Sequence, residues 1–383
     1  MARHSAPLPP LLHRTVFLAA DAAACGVSRA RLRARDILRF GQGLYAHRDL
    51  EVTEAMMAAA LVRKFPGSTV SGLSAARLHG IPLPTWLNTW EPGQPVHLSD
   101  APGNRRRSTP LVTWDHSLVH GADRKAWRIP RVPALGDLSR LSSSIVQRSG
   151  TAGTGSGPTG FQARTARTDG PGVRGYSFVP MLTPARLWIQ ICPDLPWDWR
   201  VAVGDHLVRI PFHRADERYG RGPIESPLTL AETVSQCAAL RGVALARDAL
   251  PLIRVGVDSV QETRTRLAFA CGRIPAPEVG EPMHDADGRI WARPDFLWRE
   301  FKLVGEYDGI KHFASGAASR DQARSARLRR AGFTDVHIFY DDLPLSVPGQ
   351  TDAEVRAALA DCGAVRLVGE ELRRLGWKSG QRR

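Results

Sequence analysis

A long polar stretch near the middle of the chain limits what the protein can fold into. Residues 142–175 read SSSIVQRSGTAGTGSGPTGFQARTARTDGPGVRG, which is rich in serine, threonine and glycine and has no apolar periodicity. Such a segment buries too little apolar surface to offset the entropy lost when it becomes ordered. We therefore predict a flexible insertion here, with ordered structure on both sides of it.

Length and charge narrow the class of protein. The chain has 383 residues, which is long enough for two or three domains, and its formal net charge is +14. That charge favours a polyanionic partner such as nucleic acid. A genome rich in G and C, which favours arginine codons, explains the same excess, so both interpretations stay open.

The cysteines and the hydropathy pattern predict a cytoplasmic protein. The chain has five cysteines, and no two of them are close enough for a CxxC zinc site or a readable disulfide framework. We expect them to be reduced thiols. No apolar run reaches the roughly 18 residues of a membrane span, so we expect no membrane partner.

The N-terminal 50 residues have the pattern of a winged helix-turn-helix. An Ala-rich helix is predicted over residues 17–24, followed by a turn at Gly26 and a basic helix over residues 29–38 with Ser28 as its N-cap. Residues 38–46 alternate around two glycines, as a short hairpin does. The basic helix would present four arginines to DNA, namely Arg29, Arg31, Arg33 and Arg35. A small packing module with a solvated arginine face is the alternative.

The last third of the chain predicts the element order α-β-β-β-α-β. A helix is expected from Asp258 or Ser259 to Cys271, and Asp287 and Gly288 are expected to form a hairpin turn. Extended segments follow at residues 289–292, 295–298 and 303–308. A second helix over residues 319–330 and a final strand over residues 336–340 complete the order.

Acidic side chains fall at matching places in these strands. Asp295 lies on one strand and Glu306 on the next, so their carboxylates are expected to converge. Paired carboxylates are hard oxygen ligands suited to Mg²⁺, which activates water and stabilises a leaving oxygen in phosphodiester hydrolysis. Asp308, Lys311 and His312 follow on the chain, and Glu262 on the preceding helix is a further candidate acid.

Each candidate also has a structural interpretation. Glu262 has Arg266 one helical turn away as an ion-pair partner, and Asp308 has a turn to brace. Lys311 and His312 are as compatible with solvated or packing roles as with catalysis. Asp321 and Arg324 are three residues apart on the second helix, where they would form a surface pair or, for Arg324, a DNA contact.

Residues 255–345 resemble the PD-(D/E)XK nuclease superfamily, and more closely its branch similar to very-short-patch-repair endonucleases. The resemblance rests on Asp295, the run EYDGIKH over residues 306–312, and Asp321 with Arg324. It implies a restriction-endonuclease-like fold and a magnesium-dependent or manganese-dependent endodeoxyribonuclease. In that comparison Asp308 occupies the place where the superfamily usually has lysine, and Lys311 is the amine nearest in sequence.

The N-terminal half resembles the AbiEi-type antitoxin family. The resemblance rests on residues 15–48 and on the segment SGLSAARLHGIPLP over residues 71–84. It implies a winged helix that binds an operator, and a following domain that neutralises a nucleotidyltransferase toxin.

These observations combine into a multidomain α/β protein. We predict a winged helix-turn-helix over residues 1–50, a central α+β region over 51–250, a nuclease-like domain over 251–345 and a helical tail over 346–383. The predicted function is DNA binding with metal-dependent phosphodiester hydrolysis, with Asp295 and Glu306 as metal ligands. The alternative is a non-enzymatic, antitoxin-like transcriptional regulator with a vestigial nuclease fold.

Overall fold

The computed structural model describes residues 7–129, 177–213, 218–219, 222–308 and 317–378. The predicted insertion at 142–175, and the candidates Lys311 and His312, lie outside the described residues. The chain divides into two compact units, Met1–Leu78 with Thr89–Thr183 and His79–Asn88 with Pro184–Arg383. Both units mix α-helices with β-sheets, as the sequence predicts.

The described helices follow one another along the chain, and several begin at a side-chain cap. The N-caps that accept a backbone N–H include Thr53, Ser226, Ser259 and Thr351. In chain order the helices are α1 (Ala19–Ala24), α2 (Glu54–Lys64), α3 (Gly72–His79), α4 (Pro184–Ile191), α5 (Trp197–Val208), α6 (Pro227–Gln236), α7 (Val243–Ala249), α8 (Val260–Cys271), α9 (Ala317–Arg330), α10 (Asp352–Ala360) and α11 (Gly363–Arg374).

The strands form several small sheets. In chain order they are β1 (Phe17–Leu18), β2 (Ile37–Gly41), β3 (Leu44–His47), β4 (Thr69–Val70), β5 (Val96–Ser99), β6 (Val112–Asp115), β7 (Arg124–Ile129), β8 (Ser177–Leu182), β9 (Phe212–His213), β10 (Arg218–Tyr219), β11 (Glu278–Val279), β12 (Met283–His284), β13 (Ile290–Ala292), β14 (Phe296–Trp298), β15 (Leu303–Asp308) and β16 (Thr334–Phe339).

The first unit begins with α1 and a three-stranded antiparallel sheet in the order β1-β3-β2. The predicted hairpin is confirmed as β2 and β3, but the predicted helix over residues 29–38 is wrong. Only a single 3-10 turn forms there, at Arg31–Arg33. Arg31 donates to both carboxylate oxygens of Asp36, at 2.7 and 2.5 Å, and Ala34 is already extended. The chain therefore leaves helical geometry early and starts β2 at Ile37.

The rest of the first unit is a five-stranded mixed sheet in the order β6-β5-β4-β8-β7. Strands β5 and β6 pair in parallel. Arg106, between them in sequence, stacks against the rings of Phe65 and Trp114 and pairs with Asp100. Its guanidinium belongs to the packing of this unit.

The second unit contains a four-stranded sheet in the order β11-β14-β15-β16, in which only β15 and β16 are parallel. Helix α8 covers one face, where Phe269 makes edge contacts with Phe296 and Trp298 at centroid distances of 5.3 and 5.2 Å. Helix α9 covers the opposite face, where Leu328 packs in a cluster with Leu297 and Val304. The sheet thus has apolar helix contacts on both faces.

The first strand of the four-stranded sheet is not the one that the predicted element order gave. The turn at Asp287 and Gly288 does close a hairpin, but its strands β12 and β13 form a separate two-stranded sheet. The first strand of the four-stranded sheet is β11, two residues that the sequence analysis did not identify. Pro294 separates β13 from β14, and a proline cannot donate to a ladder, so pairing changes at that point.

The position of Phe269 gives a test of this packing. Phe269 is fully buried between α8 and the sheet. We expect Phe269→Ala to lower the free energy of unfolding by about 3–5 kcal/mol, because truncation of a buried phenylalanine loses transfer energy and leaves a cavity. Chemical denaturation followed by circular dichroism measures the change. Leu228→Ala, at a side chain that is 66% exposed, is the control, and an equal loss there would contradict the assignment.

Candidate functional site

Asp295 and Glu306 lie opposite each other at one end of the four-stranded sheet. Strands β14 and β15 are antiparallel neighbours with Phe296 opposite Gly305, so the next positions outward bring Asp295 and Glu306 together. Asp295 Oδ2 accepts the backbone N–H of Tyr307 at 2.8 Å. Both carboxylates are buried. The prediction that their strands are neighbours is confirmed.

Glu262 joins these acids from the first turn of α8. Its Oε2 accepts the backbone N–H of Asp258 at 2.8 Å, and its own N–H donates to Ser259 Oγ. Burial and, after it, the negative charge of Asp295 together raise the pKa of Glu262 to about 8. The predicted alternative, a Glu262–Arg266 pair, is wrong, because Arg266 contacts Asp205 at 2.9 Å instead.

Arg324 brings a positive charge to the acids from α9. Its Nη2 is 2.5 Å from Glu306 Oε1 and 3.1 Å from the carbonyl oxygen of Arg293. Arg324 is therefore directed at the acidic side chains, while the side chain of Asp321, its predicted surface partner, lies outside the described part of the structure. Charge compensation by an arginine stabilises the ionised form of a carboxylate.

Asp308, on the same face of β15 as Glu306, contacts a histidine on the parallel neighbour β16. His337 Nδ1 lies 2.7 Å from Asp308 Oδ2, and its Nε2 lies 3.4 Å from Asp335 Oδ2. The hydrogen bond to Asp308 is the main cause that raises the pKa of His337 to about 9. At neutral pH this imidazole is a cation held between two carboxylates. Asp308 is therefore not limited to bracing the turn that follows it.

His337 was not predicted as a site residue. It falls within the final strand predicted over residues 336–340, but the sequence analysis gave it no role. The signal was the alternation Asp335, Val336, His337, Ile338, in which polar and apolar residues take opposite faces of the strand. Parallel pairing of Glu306 with His337 then puts the polar set on the face that carries the acids.

The predicted DNA-binding arginines of the N-terminal region do not share a helix. Arg31 is held by Asp36, while Arg29, Arg33 and Arg35 are exposed along an irregular segment with one 3-10 turn. A recognition helix presents its side chains to a groove at fixed intervals. Over residues 29–36 the structure provides no such helix.

The chemistry of the acids fits magnesium in part. Asp295, Glu306 and Glu262 are hard oxygen donors, and burial and the charge of Asp295 together raise the pKa of Glu262, an effect that a bound cation would oppose. Within the part of the chain that is described, no three His, Cys, Asp or Glu side chains are grouped as a preformed metal cage. Magnesium commonly uses one or two carboxylates and completes its shell with water and phosphate oxygens. Asp295 and Glu306 fit that kind of site.

Comparisons with known proteins found similarity over one part of the chain. Two proteins of Mycobacterium tuberculosis, from strains CDC 1551 / Oshkosh and ATCC 25618 / H37Rv and both described as uncharacterized, are each 33% identical to this chain over 127 residues. The similarity covers 33% of this chain, and the chain spans 46% of the length of each relative. No family model and no solved structure matches. Among the described residues, no helix has the length and hydropathy needed to cross a membrane.

Because the pKa of Glu262 is raised, ionisation of its carboxyl group should destabilise the fold. Since its pKa lies above the usual value near 4.5, wild-type stability should fall as pH rises from 4.5 towards 8, where burial opposes ionisation. Glu262→Gln keeps an oxygen for the N–H of Asp258 and removes the charge. We expect this variant to be more stable than wild type at pH 8, by on the order of 2 kcal/mol, and no more stable at pH 4. Urea denaturation at both pH values measures this.

The exposed Glu300 provides the matched control for that comparison. Glu300→Gln should leave stability within about 0.5 kcal/mol of wild type at both pH values, as is usual for surface substitutions. If Glu262→Gln behaves in the same way, ionisation of Glu262 does not destabilise the fold.

His337 predicts the opposite dependence on pH. Its pKa is raised from 6.5 to about 9, so the pair with Asp308 stabilises the fold fully below pH 6.5 and loses that contribution as pH rises through 9. The side chain is 36% exposed, so solvent screening limits the effect. We expect His337→Gln to cost about 1 kcal/mol at pH 6 and almost nothing at pH 10.

Denaturation at these two pH values checks the prediction. His284→Gln, on the exposed side of β12, is the control and should show no such dependence. A cost for His337→Gln that is the same at both pH values would mean that packing, not charge, is lost.

Proposed function

We propose that the second unit hydrolyses phosphodiester bonds of DNA with a divalent metal ion, magnesium or manganese, held by Asp295 and Glu306. The observation that supports this most directly is the pairing of two buried carboxylates, Asp295 and Glu306, on adjacent strands, beside the buried Glu262 of α8, whose pKa is raised to about 8. Titratable groups perturbed in this way concentrate at functional sites. The resemblance of residues 255–345 to PD-(D/E)XK nucleases supports the same reaction class.

The chain's own residues have distinct parts in the proposal. A metal bound by Asp295 and Glu306 would supply positive charge to the scissile phosphate and lower the pKa of a water. Tyr307 N–H fixes Asp295 Oδ2, which orients the Asp295 carboxylate. Glu262 has a pKa of about 8, so its carboxyl group would carry an exchangeable proton near neutral pH. General acid–base catalysis works best with a group whose pKa lies near the operating pH.

Cations on the same face would assist phosphate binding. Carboxylates alone repel a phosphodiester, so some positive charge is needed beside them. Arg324 reaches Glu306 from α9, and His337 is cationic beside Asp308. His337 thus provides a positive charge next to Asp308, the position at which the PD-(D/E)XK resemblance leads one to expect lysine.

The second candidate is a non-enzymatic, antitoxin-like regulator. The ion pair between Arg324 and Glu306 favours it, because an arginine that neutralises Glu306 takes the place of a metal charge. In that role the second unit would only bind its partners, DNA or a nucleotidyltransferase toxin. The exposed Arg29, Arg33 and Arg35 remain available for DNA phosphates, without a recognition helix.

A cleavage assay separates the two candidates. The full chain is incubated with supercoiled plasmid, linear duplex and single-stranded DNA, with Mg²⁺, Mn²⁺ or EDTA. We expect metal-dependent cleavage, reduced by about 100-fold or more in Asp295→Asn, since even outer-shell partners of metal ligands contribute 10- to 100-fold. Asp287→Asn is the control, because that carboxylate is 76% exposed in the hairpin turn.

Either of two results would contradict hydrolysis at Asp295 and Glu306. Equal cleavage by wild type and Asp295→Asn would show that the activity resides elsewhere. Absence of cleavage on every substrate, with DNA binding retained, would favour the regulator.

A further inference from the structure

Helix α9 carries an unusual excess of positive charge. Its sequence AASRDQARSARLRR contains five arginines and one aspartate. By comparison, α11 reads GAVRLVGEELRR, in which three arginines face two glutamates. Like charges three or four residues apart on a helix repel each other, so such a set is a cost to the helix itself. Arg327, Arg329 and Arg330 lie in the last turn, where basic residues complement the helix dipole, but this does not account for Arg324 further back.

Packing accounts for little of this charge. The buried residue that attaches the C-terminal half of α9 to the sheet is Leu328. Arg327 and Arg330 are exposed, and Arg329 is 61% exposed with its nearest acid, Asp335, 3.6 Å away. Exposed pairs of this kind contribute little to stability. Arg327, Arg329 and Arg330 therefore lie on the exposed side of α9, and its other side packs against the sheet through Leu328.

The arginines form a path that starts at the acids. Arg324 touches Glu306, and Arg327 lies one turn further along α9 with its guanidinium 5.0 Å from the ring of Trp291. Arg330 follows three residues later, and residues three apart are neighbours on a helix surface. Lys302, also exposed, lies beside Gly332 just after the helix end. We call the set Arg324, Arg327 and Arg330 the α9 arginine surface.

The length of this surface matches a nucleic-acid strand. Six residues of helix at about 1.5 Å each cover about 9 Å, and the phosphates of one duplex strand advance about 3.4 Å each along the axis. Two to three phosphates can therefore lie along it. Guanidinium groups also form paired hydrogen bonds with phosphate oxygens, which ammonium groups do not.

We propose that the α9 arginine surface binds the phosphate backbone of DNA and leads one strand to the acids at Asp295 and Glu306. The choice of partner rests on the proposed function, whereas the surface itself rests on the arrangement of α9. The contacts are to phosphates, so binding at this surface is independent of base sequence.

Charge reversal on this surface gives the test. Arg327→Glu with Arg330→Glu is compared with Arg366→Glu and Arg373→Glu on α11, a pair of exposed arginines with the same total charge change. Binding of a labelled DNA duplex to the full chain is followed by fluorescence anisotropy in EDTA, over about 50 to 200 mM salt. We expect the α9 variant to lose at least about tenfold in affinity and about 2 in the salt-dependence slope. The α11 variant should change both much less.

Other results would overturn the proposal. These are an equal loss in the two double variants, no loss in the α9 variant, or no DNA binding by wild type. Thermal unfolding of each variant excludes misfolding, and Arg327→Gln with Arg330→Gln provides a milder replacement that should still lower the salt slope. Because binding is measured without metal, the two proposals can fail separately. Absence of cleavage by a protein that still binds DNA through the α9 arginine surface would contradict the proposed hydrolysis but not the proposed binding.

Discussion

Two buried ion pairs between α5 and α8 hold the second unit in the arrangement on which its acids depend. Arg264 Nε donates to Asp198 Oδ2 at 2.7 Å, and Arg266 Nη2 lies 2.9 Å from Asp205 Oδ2. All four side chains are buried, and removal of one partner of such a pair leaves an uncompensated charge. Asp205 also accepts bonds from the Arg254 N–H and the Thr263 hydroxyl, which offset part of the burial that raises its pKa. These contacts fix the orientation of α8, and with it the position of Glu262.

The balance of charge on α8 explains why Glu262 is exceptional. The two buried arginines of this helix have aspartate partners, whereas the buried glutamate faces another acid. A helix that is buried on several sides has to satisfy every charge it carries. Glu262 lies in the first turn of the helix, and burial beside Asp295 favours its protonated form there.

Sequence patterns predicted the parts of the fold whose cause is local. The helix start at Ser259 follows from neighbouring residues, and the structure confirms Ser259 as the N-cap of α8. The extended segment predicted over residues 303–308 is likewise confirmed as β15. Strand β11 was not predicted, because two residues give no periodicity and its pairing comes from β14, where Glu278 lies opposite Leu297.

Elements whose cause is tertiary were missed or mistaken. Residues 29–38 contain good helix formers after a good cap, yet Arg31 pairs with Asp36 and β2 pairs with β3, and these contacts override helix propensity. The structural alternative for Glu262 was a pair with Arg266, one turn away, but Arg266 contacts Asp205, which is 61 residues distant in sequence and more deeply buried. Local spacing names the nearest possible partner, whereas burial selects the one that satisfies the charge.

The role of Arg324 connects the acids with the α9 arginine surface. Its guanidinium contacts Glu306 and the carbonyl of Arg293, so it is the first arginine of the surface and also the one that neutralises the acids. A phosphate that reaches Arg324 competes with Glu306 for the same donors, since a guanidinium has a limited number of N–H groups. Under the proposed function, arrival of the DNA backbone would therefore draw Arg324 away from Glu306 and leave that carboxylate free for a metal. The ion pair that favours a regulator and the surface that favours a nuclease thus involve one side chain, whose partner depends on whether DNA is bound.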